Sequence, residues 1–298
     1  MLDVDRTGLY RISSRQSARD ELAVAELRAA HQLHRAYGYR RLVDELHWSP
    51  EKTRRIMKLA GVVPLGHKPK HPKTGPVTEE QVDPNVRRNV LKEENIMASY
   101  PHHVWAEDFT YLYFYGRWYY LATVIDLYSR QAVGWALGAH HDTLLIETAL
   151  LDALSRFPAP TILHNDQGSE YCSKRYFILC ESADIRLSFS KKASPWENGF
   201  QESFYREFKI ELEANELNRF KDLGELTEAI ARQLYYYNHH RLHSALKTNP
   251  VAYAKQYENA QELPASQPNR PNVLAWMLTE TKIMAKSLRD RVLQKTGA

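Results

Sequence analysis

Cysteine is scarce in this chain of 298 residues, which contains only Cys172 and Cys180. Two cysteines are too few for a four-cysteine zinc site, and this low number is typical of a protein in a reducing compartment. The chain also lacks an apolar run of about 18 residues, so no membrane-spanning helix is expected. The first residues, MLDVDRTG, lack the basic and then apolar layout of a signal peptide. These absences predict a cytoplasmic protein with no membrane partner.

Positive charge is small overall but concentrated at one end of the sequence. The whole chain carries a net charge of +4, whereas residues 1–76 have 15 Lys and Arg against 8 Asp and Glu, a net +7. The remainder is therefore −3. This asymmetry indicates a DNA-contacting module near the N-terminus. A hydrophobic content of 43% supports ordinary packed cores, and the length allows two or three folded units.

Three short helices are predicted in this basic region. Ser17 can cap the first helix, Arg40 to Leu46 form the second, and Ser49 caps a third that begins at Pro50 and stops at Gly61. Three residues of the third helix are expected to face inward: Ile56, Leu59 and Ala60. Three helices with a basic last one suggest a helix-turn-helix. On charge alone, a small bundle with a solvated basic face explains the pattern equally well.

Asp166 is predicted to lie at the carboxyl end of a buried strand. Thr161 to Leu163 form a short β-branched and apolar run, and His164 to Gly168 (HNDQG) punctuate it as a turn. Open α/β sheets bind their ligands outside the carboxyl ends of strands. Asp166 is therefore a candidate site residue.

Two further carboxylates strengthen the prediction that Asp166 belongs to a functional site. Val104 to Leu112 (VWAEDFTYL) alternate with a period of two and predict a strand with Asp108 in its middle. Glu202 falls in the first turns of a predicted helix on which Phe200, Phe204, Phe208 and Leu212 form an apolar face. An acid inside an apolar strand is costly unless it is paired or bound to a metal. Three carboxylates from three elements suit a hard cation such as Mg²⁺.

The order of these motifs resembles a known catalytic core. WAEDFTY, then HNDQGSEY, then NGFQESF follow one another, with 35 residues between Asp166 and Glu202. This pattern resembles the Asp-Asp-Glu core of retroviral integrases and insertion-sequence transposases, and in detail the second-frame (OrfB) transposases of the IS3 group. The similarity spans roughly Arg35 to Tyr253.

The resemblance implies a metal-dependent DNA strand-transfer enzyme. Asp108 would bridge two Mg²⁺ ions, for which Mn²⁺ would substitute, and Asp166 and Glu202 would each hold one. Such a metal pair can activate the attacking oxygen and neutralise the leaving one. The expected substrate is double-stranded DNA, both element ends and target. Further expectations are a homo-oligomer on DNA, a possible upstream-frame (OrfA) product or fusion, and association with the bacterial nucleoid.

Ten basic residues are candidate DNA contacts. Lys209, two turns after Glu202, and Arg206 would meet terminal phosphates. The other candidates are Lys191, Lys192, Arg40, Arg41, Arg54, Arg55, Lys58 and Arg241. Any of the surface cations could simply be solvated. Arg241 belongs to the YNHHRLH stretch, for which a capped helix and turn packed on the core is the alternative.

The predicted fold is an α/β, ribonuclease-H-like mixed five-stranded sheet with flanking helices, preceded by the small helical domain. The predicted order of elements in the core is βββαβαβα, and the first three strands are expected to form an antiparallel meander. Predicted domains are a helix-turn-helix-like unit (1–63), a basic Pro-rich linker and connector (64–99), the catalytic core (100–256) and a linker with a C-terminal helix (257–298).

Two residues near these acids have structural interpretations, and two other functions compete with this hypothesis. Glu107 should point to the sheet face opposite Asp108 and is interpreted as structural. His164 is interpreted as a packing or hydrogen-bonding residue. One alternative function is a nuclease on the same fold that cuts without joining. Another is a domesticated or truncated DNA-binding regulator, which predicts a broken triad, whereas all three acids are present here.

Overall fold

The computed structural model describes residues 14–66, 87–190 and 199–260. Several predicted features lie outside the described residues, namely Lys191, Lys192, most of the Pro-rich linker and the C-terminal helix. Within the described part of the chain, no helix is both long enough and apolar enough to cross a membrane.

The N-terminal module consists of the three predicted helices. They are α1 (Ser14–Leu33), α2 (Tyr39–Leu46) and α3 (Pro50–Ala60). α3 has the predicted ends, because the Ser49 hydroxyl accepts a hydrogen bond from the Lys52 amide at 3.2 Å, and Gly61 ends the helix with a φ of 65°. The predicted cap at Ser17 is wrong, since Ser17 lies inside α1.

A small apolar core holds these helices together. Ala23 and Leu27 of α1 meet Ile56 and Ala60 of α3, and all four are buried. The prediction that Leu59 faces inward is wrong, because its side chain is 56% exposed. Leu59 lies about 100° around the helix axis from its neighbour Ala60, which carries it out of the buried stripe.

The core domain is built on one mixed five-stranded sheet. Its strands are β1 (Val104–Phe114), β2 (Arg117–Asp126), β3 (Ala132–Gly138), β4 (Ile162–Asn165) and β5 (Arg186–Phe189). The spatial order is β3-β2-β1-β4-β5. β1, β2 and β3 pair antiparallel, whereas β1–β4 and β4–β5 are parallel. The predicted meander and the predicted mixed sheet are confirmed.

Helices cover both faces of this sheet. They are α4 (Val90–Glu93), α5 (Thr143–Arg156), α6 (Lys174–Ser182), α7 (Gly199–Glu211), α8 (Leu223–His239) and α9 (Pro250–Ala260). α5 and α6 pack on one face around buried residues such as Trp105 and Leu150. α7 and α8 pack on the other, around Leu112, Phe208 and Ile230. Two apolar layers on opposite faces of a mixed sheet confirm the ribonuclease-H-like architecture.

Gly134 lets α5 approach the sheet closely. A Cβ at this position of β3 would lie 2.4 Å from the Ala149 carbonyl oxygen and 2.6 Å from the Ala153 Cβ. Only a residue without a side chain fits there. The helix α5 therefore packs directly on β3 within the apolar layer that also contains Trp105 of β1.

The N-terminal module rests on α8 and on the segment that follows it. The Tyr37 hydroxyl is fully buried and accepts a hydrogen bond from the Leu242 amide at 2.5 Å. The His34 Nδ1 lies 2.5 Å from the Tyr236 hydroxyl. The YGY stretch between α1 and α2 therefore fixes the module against the core domain.

Candidate active site

Two aspartates lie side by side where parallel strands meet. β1 and β4 are parallel, with Ala106 opposite His164. Asp108 lies two residues beyond Ala106, and Asp166 lies two residues beyond His164, directly after the last residue of β4. Side chains alternate along a strand, so Asp108 lies on the same face as Ala106, and Asp166 is close enough for its charge to raise the pKa of Asp108. Asp166 therefore occupies the predicted strand end, and Asp108 is its neighbour.

α7 carries Glu202 to this face and is tied to β1 through two residues that the sequence analysis missed. The Gln201 side-chain amide is buried and donates to the Ala106 carbonyl oxygen at 2.7 Å. The Tyr205 hydroxyl donates to the Asp108 carbonyl oxygen at 2.5 Å and accepts from the Thr123 hydroxyl at 2.8 Å. These contacts fix the first two turns of α7 against the strand that bears Asp108.

The buried stripe of α7 differs from the predicted one. Phe204 and Phe208 are buried as expected, but Phe200 is 51% exposed. Gln201 and Tyr205 take its place against the sheet, each satisfying a polar backbone atom. The signal was present in the sequence as a polar Gln201 four residues before Tyr205, both on one helix face.

Electrostatics shows that the acids of the site repel one another. Burial raises the pKa of Asp108 well above its ordinary value, and the negative charges of Asp166 and Glu202 raise it further. A hydrogen bond from the Phe109 amide to the Asp108 carboxylate at 2.8 Å opposes this shift. Burial and the charge of Glu170 raise the pKa of Asp166 as well. Both other members of the predicted triad therefore lie close enough to Asp108 to raise its pKa.

Glu170 is a further buried carboxylate at the edge of this site. A Cβ on Gly168 would lie 3.0 Å from Asp166 Oδ1 and 3.1 Å from Glu170 Oε2, so the two acids flank this glycine. The Glu170 carboxylate accepts from the Ser169 hydroxyl at 2.9 Å, and His141 Nδ1 lies 3.7 Å from its other oxygen. Glu170 misses the motif positions, so the motif pattern alone did not select it.

Among the described residues, no three His, Cys, Asp or Glu side chains lie close enough together to hold a metal ion. The donor set nevertheless fits a hard divalent cation, because it consists of carboxylate oxygens on rigid strands and a helix. The raised pKa of Asp108 also favours a cation at this place. A bound cation would offset the repulsion between the acids that contributes to this shift.

Lys209 is buried within the electrostatic reach of Asp108 rather than exposed on the open surface. Its side chain is buried, and its ammonium nitrogen is 4.4 Å from the centre of the Tyr111 ring. Burial lowers the pKa of Lys209 to about 8, and the charge of Asp108 opposes this shift. Lys209 shares the face of α7 that carries Glu202, as its spacing predicts.

Glu107 and His164 occupy structural positions. Glu107 points to the α6 face of the sheet, where its buried carboxylate accepts a hydrogen bond from the Tyr176 hydroxyl. His164 is buried, and its Nδ1 lies 2.9 Å from the Ser188 hydroxyl. Both placements agree with the interpretation that neither side chain takes part in the chemistry.

The DNA-contact candidates of the core domain have different environments. Arg206 is 69% exposed and lies 3.2 Å from Glu207. Arg241 is only 3% exposed, and its guanidinium donates to Glu211 at 2.6 Å and to Glu207 at 2.7 Å. The structure therefore supports the packing alternative for Arg241 and removes it from the DNA contacts. Its carboxylate partners satisfy and bury the charge that a phosphate would need to reach.

The candidates of the N-terminal module are mostly on the surface. Arg40, Arg54 and Lys58 are exposed, and the Arg54 guanidinium lies 4.4 Å from the centre of the Tyr39 ring. Arg55 is exposed and donates to Asp20 at 2.5 and 2.9 Å. Arg41 is different, because it donates to Glu207 of α7 at 2.6 Å and so joins the module to the core domain.

Comparisons with known proteins agree with this geometry. Residues 98–195 and 183–250 match two families that are both described as "Integrase core domain". The transposase for insertion sequence element IS904 of Lactococcus lactis subsp. lactis (strain IL1403) is 30% identical over 247 residues, which cover 80% of this chain and 95% of the relative. Transposase InsF for insertion sequence IS3A of Escherichia coli (strain K12) is 34% identical over 221 residues, covering 71% and 76%.

Solved structures of retroviral integrase cores show a more distant likeness. The HTLV-2 integrase catalytic core domain, solved in complex with magnesium, matches 53% of this chain and 99% of its own length. The TM-score of that match is 0.46 and the sequence identity is 20%.

Proposed function

Because the chain belongs to the IS3-type insertion-sequence transposases, which contain an integrase core domain, we propose that Asp108, Asp166 and Glu202 form its metal-dependent active site. The protein is a DNA transposase, a polynucleotidyl transferase of the Asp-Asp-Glu type. In this proposal the site cuts the ends of an insertion sequence and transfers each end to a second DNA. The observation that carries it is the placement of three acids from three elements: Asp108 in β1, Asp166 directly after the parallel strand β4, and Glu202 on α7, which hydrogen bonds tie to β1.

The three acids would hold two Mg²⁺ ions, with Mn²⁺ as a substitute. Asp108 would contact both ions, and Asp166 and Glu202 would each contact one. When bound, the ions supply Lewis-acid activation of the attacking oxygen and neutralise charge on the leaving oxygen. The protein contributes position: Gln201 and Tyr205 hold α7 against β1, so Glu202 and Asp108 keep a fixed relation during the reaction.

Cations around the acids would orient the DNA. Arg206 lies exposed one turn after Glu202 and can reach a phosphate near the cut. Lys209 is buried within the electrostatic reach of Asp108, where its ammonium group sits in a low-dielectric site and acts strongly on nearby negative charge. Lys191 and Lys192 remain candidates from the sequence. Together these groups would hold the reacting phosphate against the acids.

The N-terminal module would bind the DNA ends. Its exposed Arg40, Arg54 and Lys58 form the basic surface, with Arg55 beside them. Since phosphate contacts supply most of the non-specific affinity, loss of these charges should weaken DNA binding and its salt dependence together. Cutting two ends requires at least two protomers, so we further propose that the protein works as a homo-oligomer on DNA.

A strand-transfer assay tests the proposed function. A labelled duplex carrying the DNA that flanks this chain's own gene is incubated with Mg²⁺ or Mn²⁺ and with wild type or Glu202→Gln. Joined strands from wild type alone are the expected result. Nicks without joining would instead indicate a nuclease. Absence of products from both proteins leads to the same assay with the predicted upstream-frame fusion, and absence there contradicts the proposal.

A further inference from the structure

A cavity of about 550 Å³ lies on the side of α7 away from the acids. It is bounded by the first two turns of α7, the turn between β2 and β3, the end of α8 and the segment after it. Phe200, Ser203 and Glu207 line it from α7. Asp108, Asp166 and Glu202 do not line it, and Glu202 and Arg206 project from a different face of α7, about 110° around the helix axis from this row on average. The cavity is therefore separate from the metal-binding acids.

Positive charge dominates the wall of this cavity. Arg41, Arg130 and Arg241 line it, and within the described part of the chain Glu207 is the one acidic residue that does so. Glu207 already accepts from Arg41 at 2.6 Å and from Arg241 at 2.7 Å. Arg241 also donates to Glu211 at 2.6 Å, so these two arginines are matched by two carboxylates and Arg130 carries the excess positive charge that an entering anion would meet.

Arg130 differs from the other two arginines because one of its guanidinium nitrogens has no acceptor among the described residues. Its Nη1 is buried and has no hydrogen-bond partner in the part of the chain that the structure describes. A buried guanidinium nitrogen without an acceptor is costly, so an acceptor from a ligand would stabilise it. The nearby His243 gives an independent indication of the positive field. Burial, followed by the charges of Arg241 and Arg130, lowers the pKa of His243 to about 4.

The Arg130 guanidinium lies over one face of an exposed aromatic ring, which leaves the other face for a base. The Arg130 Cζ lies 3.6 Å from the centre of the Phe200 ring, while Phe200 remains 51% exposed. Apolar side chains continue the wall inward, namely Ile125, Phe204, Tyr237 and Ala245. An aromatic platform, an available guanidinium and an apolar interior are the features that bind an unpaired base together with its phosphate. The volume lies within the range of about 300–1,000 Å³ that is usual for small-molecule sites.

We propose that this cavity binds an unpaired nucleotide of the DNA strand, with the base against Phe200 and the phosphate on Arg130. The proposal rests on the proposed function, because it assumes that DNA lies along α7. Phe200 and Glu202 lie in the same turn of α7 but on different faces, so a strand with a nucleotide here and a phosphate at the acids would pass around the first turn of the helix. The site would thereby favour DNA whose end is frayed or single-stranded.

Equilibrium binding without divalent metal tests this inference apart from catalysis. The full chain is titrated, in the presence of a chelator, with two fluorescent duplexes that differ only in three unpaired nucleotides at one end. We expect the unpaired end to bind about tenfold more tightly, which is the size of one base–aromatic stack. Phe200→Leu and Arg130→Met should each remove this preference and leave the affinity for the blunt duplex unchanged.

Matched controls separate the outcomes. Arg232→Gln removes an exposed arginine of α8 that pairs with Glu228 at 3.0 Å outside the cavity, and it should keep the preference. Glu202→Gln should also keep it, so a failed strand-transfer assay with a retained preference would count against the proposed function alone. An equal preference in wild type, Phe200→Leu and Arg130→Met would overturn the inference. Phe200→Leu covers the case in which Arg130→Met fails to fold, because Phe200 is half exposed.

A mononucleotide competition decides between the two sources of this chemistry. A free deoxynucleoside monophosphate should displace the unpaired-end duplex to the affinity of the blunt one. If the mononucleotide binds in a way that requires Phe200 and Arg130, but the unpaired end gives no preference, the site serves a free nucleotide and the proposal is wrong.

Discussion

The two sides of α7 use acidic residues in opposite ways. Toward the sheet, Glu202 adds negative charge beside Asp108, and burial together with the neighbouring acids raises the pKa of Asp108. On the other side, Glu207 lies between Arg41 and Arg241. Burial alone would raise the pKa of Glu207, but the hydrogen bond from Arg41 and the charge of Arg241 bring it below its ordinary value. The acids on one side therefore repel one another in a way that a cation can offset, whereas the acid on the other side is already paired with arginines.

Substituting the central acid should have the largest effect on activity and should increase stability. We expect Asp108→Asn to lower strand cleavage at least about 1,000-fold, because the metal-binding set loses its shared member. The same change removes repulsion with Asp166 and Glu202, so the melting temperature should rise by a few degrees. Cleavage assays and thermal unfolding without metal measure the two effects.

A matched substitution on the other side makes this comparison sharp. Glu207→Gln should lower the melting temperature, since two arginines lose their partner. If Asp108→Asn also lowered it, the acids near the sheet would be stabilising groups, and their interpretation as a metal site would be wrong.

Removing the buried arginine that pairs with Glu207 and Glu211 should give the largest loss of stability. We expect Arg241→Met to lower the free energy of unfolding by about 3–5 kcal/mol, because Glu207 and Glu211 would stay buried without their shared cation. Denaturant unfolding measures it. Arg206→Met on the exposed face of α7 is the control and should change stability by less than about 0.5 kcal/mol. Equal effects from both substitutions would contradict the buried network.

The sequence predicted the sheet well because its signals are local. The period of two around Asp108 and the turn after Leu163 place both aspartates correctly, and the parallel pairing of β1 with β4 brings them together. The motif resemblance supplied what periodicity cannot, namely the name of the fold and the proposal that Glu202 belongs to the site. Element order was therefore predictable before any contact was known.

The errors concern contacts between distant parts of the chain. Arg241 was predicted to contact DNA, yet its partners are Glu211, 30 residues away, and Glu207. Arg41 meets Glu207 across 166 residues, and nothing in a helix pattern reports such a pairing. Phe200 fits the four-residue apolar spacing, but the adjacent Gln201 is the buried residue, because its side chain donates to the Ala106 carbonyl oxygen. Phe200 therefore lies outside the buried stripe of α7. The sequence does not show which acids and arginines will form ion pairs, because these pairs depend on contacts between segments that are far apart in the chain.

The side of α7 with the arginine pairs should also respond to pH. His243 has an ordinary pKa of 6.5, which burial and the arginines lower to about 4 in the folded protein. Between these values the unfolded chain binds a proton that the folded chain does not, so stability falls as pH decreases from about 6.5 to 4. We expect His243→Asn to reduce this loss by about 1–2 kcal/mol, since the side chain is partly exposed. Unfolding curves at pH 7.5 and about 5 measure the difference. A pH dependence identical to wild type would show that His243 is protonated equally in both states.

The smallest effect is predicted for the loss of the Tyr205 hydrogen bond, which joins α7 to β1 at Asp108. The Tyr205 hydroxyl donates to the Asp108 carbonyl oxygen at 2.5 Å, so Tyr205→Phe should lower the free energy of unfolding by about 1 kcal/mol. As a positioning residue, Tyr205 should affect kcat by about tenfold and leave KM for DNA unchanged, because binding does not need the hydroxyl. Tyr235→Phe removes a hydroxyl from a side chain that is 59% exposed and should change neither quantity. If kcat stayed at the wild-type value after Tyr205→Phe, α7 would hold Glu202 without this bond, and the anchoring of the catalytic side would rest on Gln201 alone.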